Sequence, residues 1–198
     1  MKSSSVEFFD KQFRRQVAER DFSLNPFEKA ILPLLWGDIL DLGCGLGNLA
    51  VAAAAAGFRV TALDASPTAV DHLRHRAAAE NLAITAREAD LQEMDLQGDF
   101  DCVVAIGLLM FFPEESARRG LAKIKGLVRP GGLAAVNVLI EGTTFLSMFD
   151  PAGYYLFGEG ELLEAFAGWA IEYAKLESFP APNETVKRFS TAVAHRPG

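Results

Sequence analysis

Residues 39–48 read ILDLGCGLGN, an apolar run passing into a turn where Gly43, Gly45 and Gly47 alternate. Three positions without a side chain let the backbone close around a ligand and take positive φ where it must. The alanine-rich stretch 49–56 has the composition of a helix, whose N-terminus would present free N–H groups at the same place. Phosphate is the usual guest of such a turn. Asp41, two residues ahead of Gly43, would repel it. The pattern suits a zwitterionic ligand with an amino group as well as an acid.

Further acids follow in a regular order. The apolar stretch 58–64 ends on Asp64, 21 positions after Gly43, and Ser66-Pro67 then has the form of an N-cap followed by a first helical residue. In a doubly wound sheet an acid so placed lies beside the glycine turn and accepts hydrogen bonds from ribose hydroxyls. A third short strand, 84–90, ends on Asp90. A fourth, 100–107, is β-branched and opens into Leu108-Leu-Met-Phe-Phe-Pro113, and a fifth occupies 127–140. S-adenosylmethionine is a ligand that matches: a ribose for Asp64, an ammonium for Asp41 and a sulfonium methyl.

These residues resemble the first motif and the succeeding strand ends of the class I S-adenosylmethionine-dependent methyltransferases. The related dinucleotide fingerprint G-x-G-x-x-G fits less well, because Gly47 stands at its free position and Asn48 where its last glycine belongs. The resemblance implies a three-layer α/β sandwich, a seven-stranded mostly parallel sheet with one antiparallel strand. It places cofactor binding on Asp41, Gly43, Cys44, Gly45, Gly47, Asn48, Asp64, Ala65, Asp90, Leu91 and Ile106. Within it, Asp90 faces the adenine amino group and the next backbone N–H a ring nitrogen. Residues 109–111, Gly158-Glu-Gly-Glu-Leu162, Gly168-Trp169, Arg188-Phe-Ser-Thr191 and Phe9-Asp-Lys are similar to the tellurite-resistance methyltransferase family. One departure stands out: residues 176–189 contain no histidine, and Glu177 and Ser178 occupy its neighbourhood.

A sulfonium methyl is already an activated electrophile, so transfer needs alignment and exclusion of water more than acid–base help. A soft nucleophile such as a thiolate, selenide or telluride needs little assistance, whereas an amine or hydroxyl needs a base. The sequence nominates no catalytic base. Phe9, Met110, Phe111 and Tyr154 are the acceptor-contacting candidates, and the aromatic excess around them points to a small, apolar or polarisable acceptor. The expected activity is methyl transfer to a thiol, selenium or tellurium species. Transfer to a metabolite oxygen or nitrogen, or non-catalytic cofactor binding, are the alternatives.

The elements that must position these groups are legible as five βα units to about residue 140, preceded by helices at 6–20 and 26–35. Residues 141–157 form a long irregular stretch, 159–167 a short helix, and 169–178 with 186–195 a hairpin turning at Pro180, Pro182 and Asn183. Residues 1–198 are expected to be one domain, with 1–35 as a helical cap. Segments 6–20 and 141–157, rich in aromatic residues, are expected to cover the acceptor.

Composition sets bounds. A net charge of −7 without a basic run argues against a nucleic-acid partner, and 49–58, the longest apolar run, is too short to span a bilayer. Cys44 and Cys102 form no C-x-x-C, and His72 and His75 lack a third ligand at sensible spacing, so no metal site is expected. A polar N-terminus and two cysteines suit a reduced cytoplasm. The expected partner is a small-molecule acceptor, with neither nucleic acid nor membrane, for a monomer or homodimer.

Overall fold

The computed structural model describes residues 4–93 and 96–198. The chain runs α1 (Ser4–Glu19), α2 (Pro26–Ile31), β1 (Asp38–Leu42), α3 (Asn48–Ala55), β2 (Arg59–Asp64), α4 (Pro67–Ala79) and β3 (Ile84–Glu88). It continues through β4 (Phe100–Ile106), α5 (Glu114–Leu127), β5 (Val128–Leu139), α6 (Glu161–Ala165), β6 (Ala170–Ala181) and β7 (Thr185–His195). The seven strands lie in the order β3-β2-β1-β4-β5-β7-β6. All pairings are parallel except those of β7, which runs antiparallel to both β5 and β6.

Strands β1, β4 and β5 are apolar on both faces because helices cover both. On one side Leu40, Leu42, Val103, Val136 and Val138 pack with Ile124 of α5 and with Phe157, Leu162 and Phe166. On the other, Ile39, Val60, Val104 and Ala135 pack with Leu49 and Val51 of α3 and Leu73 of α4. A third, smaller cluster of Met110, Leu139, Met148 and Phe149 sits around the end of β5. The chain order reverses between β1 and β4, and open α/β sheets bind ligands in the crevice outside the carboxyl ends at that point.

The structure corrects three expectations. The second helix does not reach residue 35: α2 ends at Ile31 and a short 3-10 turn, Leu32–Leu34, follows it around Pro33. The third βα unit is incomplete, since among the described residues of 89–99 there is no helix between β3 and β4. Pro180 lies inside β6 rather than in the turn, paired with Val186. That placement is tolerated because β6 is an edge strand. The turn itself falls on Asn183 and Glu184, both left-handed with φ of 60° and 58°.

Several motifs noted in the sequence turn out to hold this frame together. Glu161 accepts hydrogen bonds from the Tyr155 hydroxyl at 2.7 Å and the Gly158 N–H at 2.9 Å, and pairs with Arg118 at 2.7 Å. Tyr155 and Phe157 are thereby fixed against the α5 face as packing residues.

Candidate functional site

A cavity of about 1780 Å³ opens at the switch point. The glycine turn and the ends of β2 and β3 form one wall, and α1 and α2 a second. Met110, Phe111, Phe145, Met148 and residues of β7 form the third.

The glycine turn is held from below by β2. The N–H groups of Gly43 and Cys44 both donate to the Leu63 carbonyl, at 2.8 and 3.1 Å. The Gly45 N–H donates to Asp64 Oδ2 at 2.8 Å, and the Ser66 N–H to Asp64 Oδ1 at 2.8 Å. Both carboxylate oxygens therefore hold backbone donors and keep lone pairs for a ligand hydroxyl. Gly45 lies at φ 53°, and a Cβ there would come within 3.2 Å of the Phe13 ring. Gly47, at φ 73°, is different: a Cβ would meet Leu73 at 2.5 Å, and the residue does not line the cavity. Its role is close packing of α3 against α4.

The first helix is tied to the start of α4. Ser66 caps α4 by accepting from the Ala69 N–H at 3.2 Å, and its hydroxyl donates to Asp10 of α1 at 2.6 Å. Asn48 donates to the Ser23 carbonyl at 3.4 Å, while its Oδ1 is buried without a partner. The start of α4 is thus bonded to α1, and the start of α3 to the segment that follows α1.

The electrostatics favour a cation. Asp41 is 5% exposed. Burial, with Glu28 and Asp64 nearby, pushes its carboxyl up from 3.8 to about 8. Burial likewise raises Glu28 and Asp64. Three carboxylates held in a confined space are relieved by a bound ammonium or sulfonium. A cationic ligand selects the ionised Asp41, so binding should release a proton, and affinity should rise with pH, by at most about tenfold per unit, until it levels above about 8. Stability of the ligand-free protein should move the opposite way. The native state holds a proton that the unfolded chain has lost, so Asp41's contribution is full below 3.8 and disappears as pH rises through about 8. Calorimetry in buffers of different ionisation enthalpy measures the first effect and thermal melts across pH the second. Affinity independent of pH between 6 and 8 would count against the assignment.

Burial also raises both thiols, Cys102 to about 11. They are therefore neutral packing groups. His72 stacks on Phe22 with ring centroids 4.8 Å apart, and the His75 Nδ1 lies 2.7 Å from the Asp71 carbonyl.

Of the remaining cofactor candidates, Cys44, Ala65, Leu91 and Ile106 line the cavity, and Asp90 lines its rim beside Leu91. Among the acceptor candidates, Phe9 and Phe111 meet edge to face at 5.0 Å, and Met110 is buried beneath. Tyr154 does not line the cavity; it stacks on Phe149 at 4.5 Å, and Phe149 packs against Phe111. Glu28, Asn137 and Lys187 are among the lining residues that were not anticipated. Glu28 closes a capping box with Asn25, accepting the Asn25 N–H at 2.7 Å while Asn25 accepts the Glu28 N–H at 2.9 Å. The N-P-x-E spelling was available as a helix-start signal, though not as a cavity wall. Asn137 donates to Thr191 at 2.8 Å and leaves Oδ1 buried without a partner. Lys187 stands 4.6 Å from the centroid of the Phe145 ring.

The residues present fit S-adenosylmethionine: a bare turn, a carboxylate with free lone pairs beside it, and buried acids for the cationic end. Known proteins agree. Residues 39–132 match the family model described as a methyltransferase domain. Hemagglutinin 1 of Eikenella corrodens is 30% identical over 172 residues, covering 80% of this chain and 54% of that protein. The probable S-adenosyl-L-methionine-dependent methyltransferase TehB of Haemophilus influenzae is 26% identical over 137 residues, covering 68% and 47%. The chain spans about half the length of the curated relatives it matches. The crystal structure of Haemophilus influenzae TehB superposes with a TM-score of 0.77 at 20% identity, over 87% of this chain and 62% of that one. A structure described as the conversion of a disulfide bond into a thioacetal group during echinomycin biosynthesis gives 0.65 at 25% identity, over 87% and 81%. Residues 39–132 are therefore a methyltransferase domain, in a chain that resembles TehB in sequence and fold.

Proposed function

We propose that the protein transfers a methyl group from S-adenosylmethionine to a small molecule, at a soft heteroatom such as a thiol, selenium or tellurium species. The observation that carries this reading is the division of the cavity. Its five lining carboxylates, Glu28, Asp41, Asp64, Glu88 and Asp90, belong to α2, β1, β2 and the end of β3. The other end is lined by Phe9, Met110, Phe111, Phe145 and Met148, and no histidine or tyrosine lines the cavity among the described residues. Polarisable, apolar walls suit a polarisable nucleophile, and such a nucleophile needs no base. The echinomycin-related structure, whose described chemistry is on sulfur, supports the same acceptor class.

When bound, the cofactor supplies a methyl group ready for direct displacement. Asp64 and the glycine turn hold the ribose side, Asp41 and Glu28 the cationic end, and Asp90 with the Leu91 N–H the base. Phe9 and Phe111 close the acceptor end against water. Residues 1–198 act as one domain in this reading, with 1–35 as its helical cap. Among the described residues no helix is long and apolar enough to cross a membrane.

The test is a methyl-transfer screen read by mass spectrometry, with 2-mercaptoethanol, hydrogen selenide, a catechol and a primary amine as acceptors. S-adenosylhomocysteine should accumulate with the thiol and the selenide. Methylation of the amine or catechol alone would replace this reading with nitrogen or oxygen transfer. Cofactor binding without turnover on any acceptor would leave a non-catalytic binder.

A further inference from the structure

Among the described residues, Lys187 is a cation of the β6–β7 hairpin with no anion paired to it. Its neighbours are satisfied: Lys175 pairs with Glu177 at 2.6 Å, and Arg188 pairs with Glu159 at 2.8 Å and donates to the Glu141 carbonyl at 2.9 Å. Lys187 is half-buried, lines the cavity, and has only the face of Phe145 against its ammonium among the described residues. Burial, with no charged neighbour contributing, pulls its pKa below the usual lysine value. An aromatic face attracts a cation but does not neutralise it. A half-desolvated charge in a ligand cavity is stabilised most by an anion that arrives with the ligand.

The sheet keeps this cation apart from Asp41 and Asp64. β7 lies three strands from β1, which carries Asp41, with β4 and β5 between. Phe145, Met148 and Phe189 line the cavity near it with apolar surface. We propose that Lys187 is a specificity-determining residue, selecting acceptors that carry a carboxylate at the far end of an apolar body. This rests on the methyl-transfer reading of the same cavity and adds to it the chemistry of the acceptor's other end.

The test separates the two claims. Hexanoate and 1-hexanol are titrated by calorimetry into protein saturated with S-adenosylhomocysteine, for the unaltered chain, Lys187→Met and Lys187→Arg. In the unaltered chain hexanoate should bind at least about tenfold more tightly than hexanol, the scale of one hydrogen bond to a charged group. Lys187→Met should abolish the preference and Lys187→Arg should keep most of it, with S-adenosylhomocysteine affinity reporting that each variant is folded. A purely structural lysine would lower both affinities together. In parallel, 3-mercaptopropionate and 2-mercaptoethanol are compared as methyl acceptors by kcat/KM. Equal binding of hexanoate and hexanol, or a preference that survives in Lys187→Met, overturns the assignment of Lys187 even if both thiols are methylated. A Lys187-dependent hexanoate preference with neither thiol methylated overturns the soft-acceptor reading and leaves the anion site standing.

Discussion

Asp64→Ala is expected to weaken S-adenosylmethionine by about 10²–10⁴-fold, the loss of two hydrogen bonds to a charged acceptor at roughly 1.5–3 kcal/mol each. The effect is large because Asp64 does two jobs at once. Its oxygens each hold a backbone N–H, of Gly45 and Ser66, at 2.8 Å, and the lone pairs left over face the cavity. Removing the carboxylate therefore loosens the turn as well as the ligand. The same two donors lose their partner, so the melting temperature should fall by a few degrees, at about 2–4 °C per kcal/mol for a chain of this size. Asp64→Asn keeps one acceptor oxygen and should lie between. Calorimetric titration showing an unchanged affinity in Asp64→Ala would remove this residue from the site.

Gly45→Val should abolish measurable cofactor binding while leaving the domain folded. A β-branched residue at φ 53° is strained by about 1–3 kcal/mol. The added side chain also projects toward Phe13 on the covering helix, the space between turn and cover. Nothing in the sheet or its two apolar layers is touched. Gly47→Ala makes the informative contrast. Its Cβ would press on Leu73, which is fully buried, so the expected result is a destabilised protein rather than a folded one that cannot bind. Circular dichroism and calorimetry on the pair distinguish the two roles. A folded Gly45→Val protein with normal affinity would mean that the turn is only a turn.

The contrast between Gly45 and Gly47 also marks what sequence can and cannot say. The glycine turn and the acids Asp41, Asp64 and Asp90 were legible because turn chemistry and strand ends are written in adjacent residues. The sheet order followed once those strands were in place. The sequence treats Gly45 and Gly47 alike, and only the packing of α4 makes the second a contact residue. Lys187 and Asn137 carry no local signal at all: Lys187 reaches the cavity because β7 returns antiparallel beside β5, and Asn137 because it lies beside Ile106 near the end of β5. Glu28 was hidden by its own capping box, a sufficient local reason for a glutamate at that position. Tyr154 was a fair candidate by composition and chain position, yet stacking on Phe149 places it behind the wall. Among the described residues of 89–99 no helix forms between β3 and β4, in a stretch rich in Asp, Gln and Gly.

If the cavity at the switch point is an S-adenosylmethionine site, calorimetric titration with S-adenosylhomocysteine and NAD⁺ side by side will show it. S-adenosylhomocysteine keeps the ribose, the adenine and the amino acid end that Asp64, Asp90 and Asp41 are placed to hold. NAD⁺ brings a pyrophosphate toward the buried acids at the glycine turn. One S-adenosylhomocysteine should bind per chain, with no heat from NAD⁺. Binding of NAD⁺ in preference to S-adenosylhomocysteine, or of neither, would contradict it.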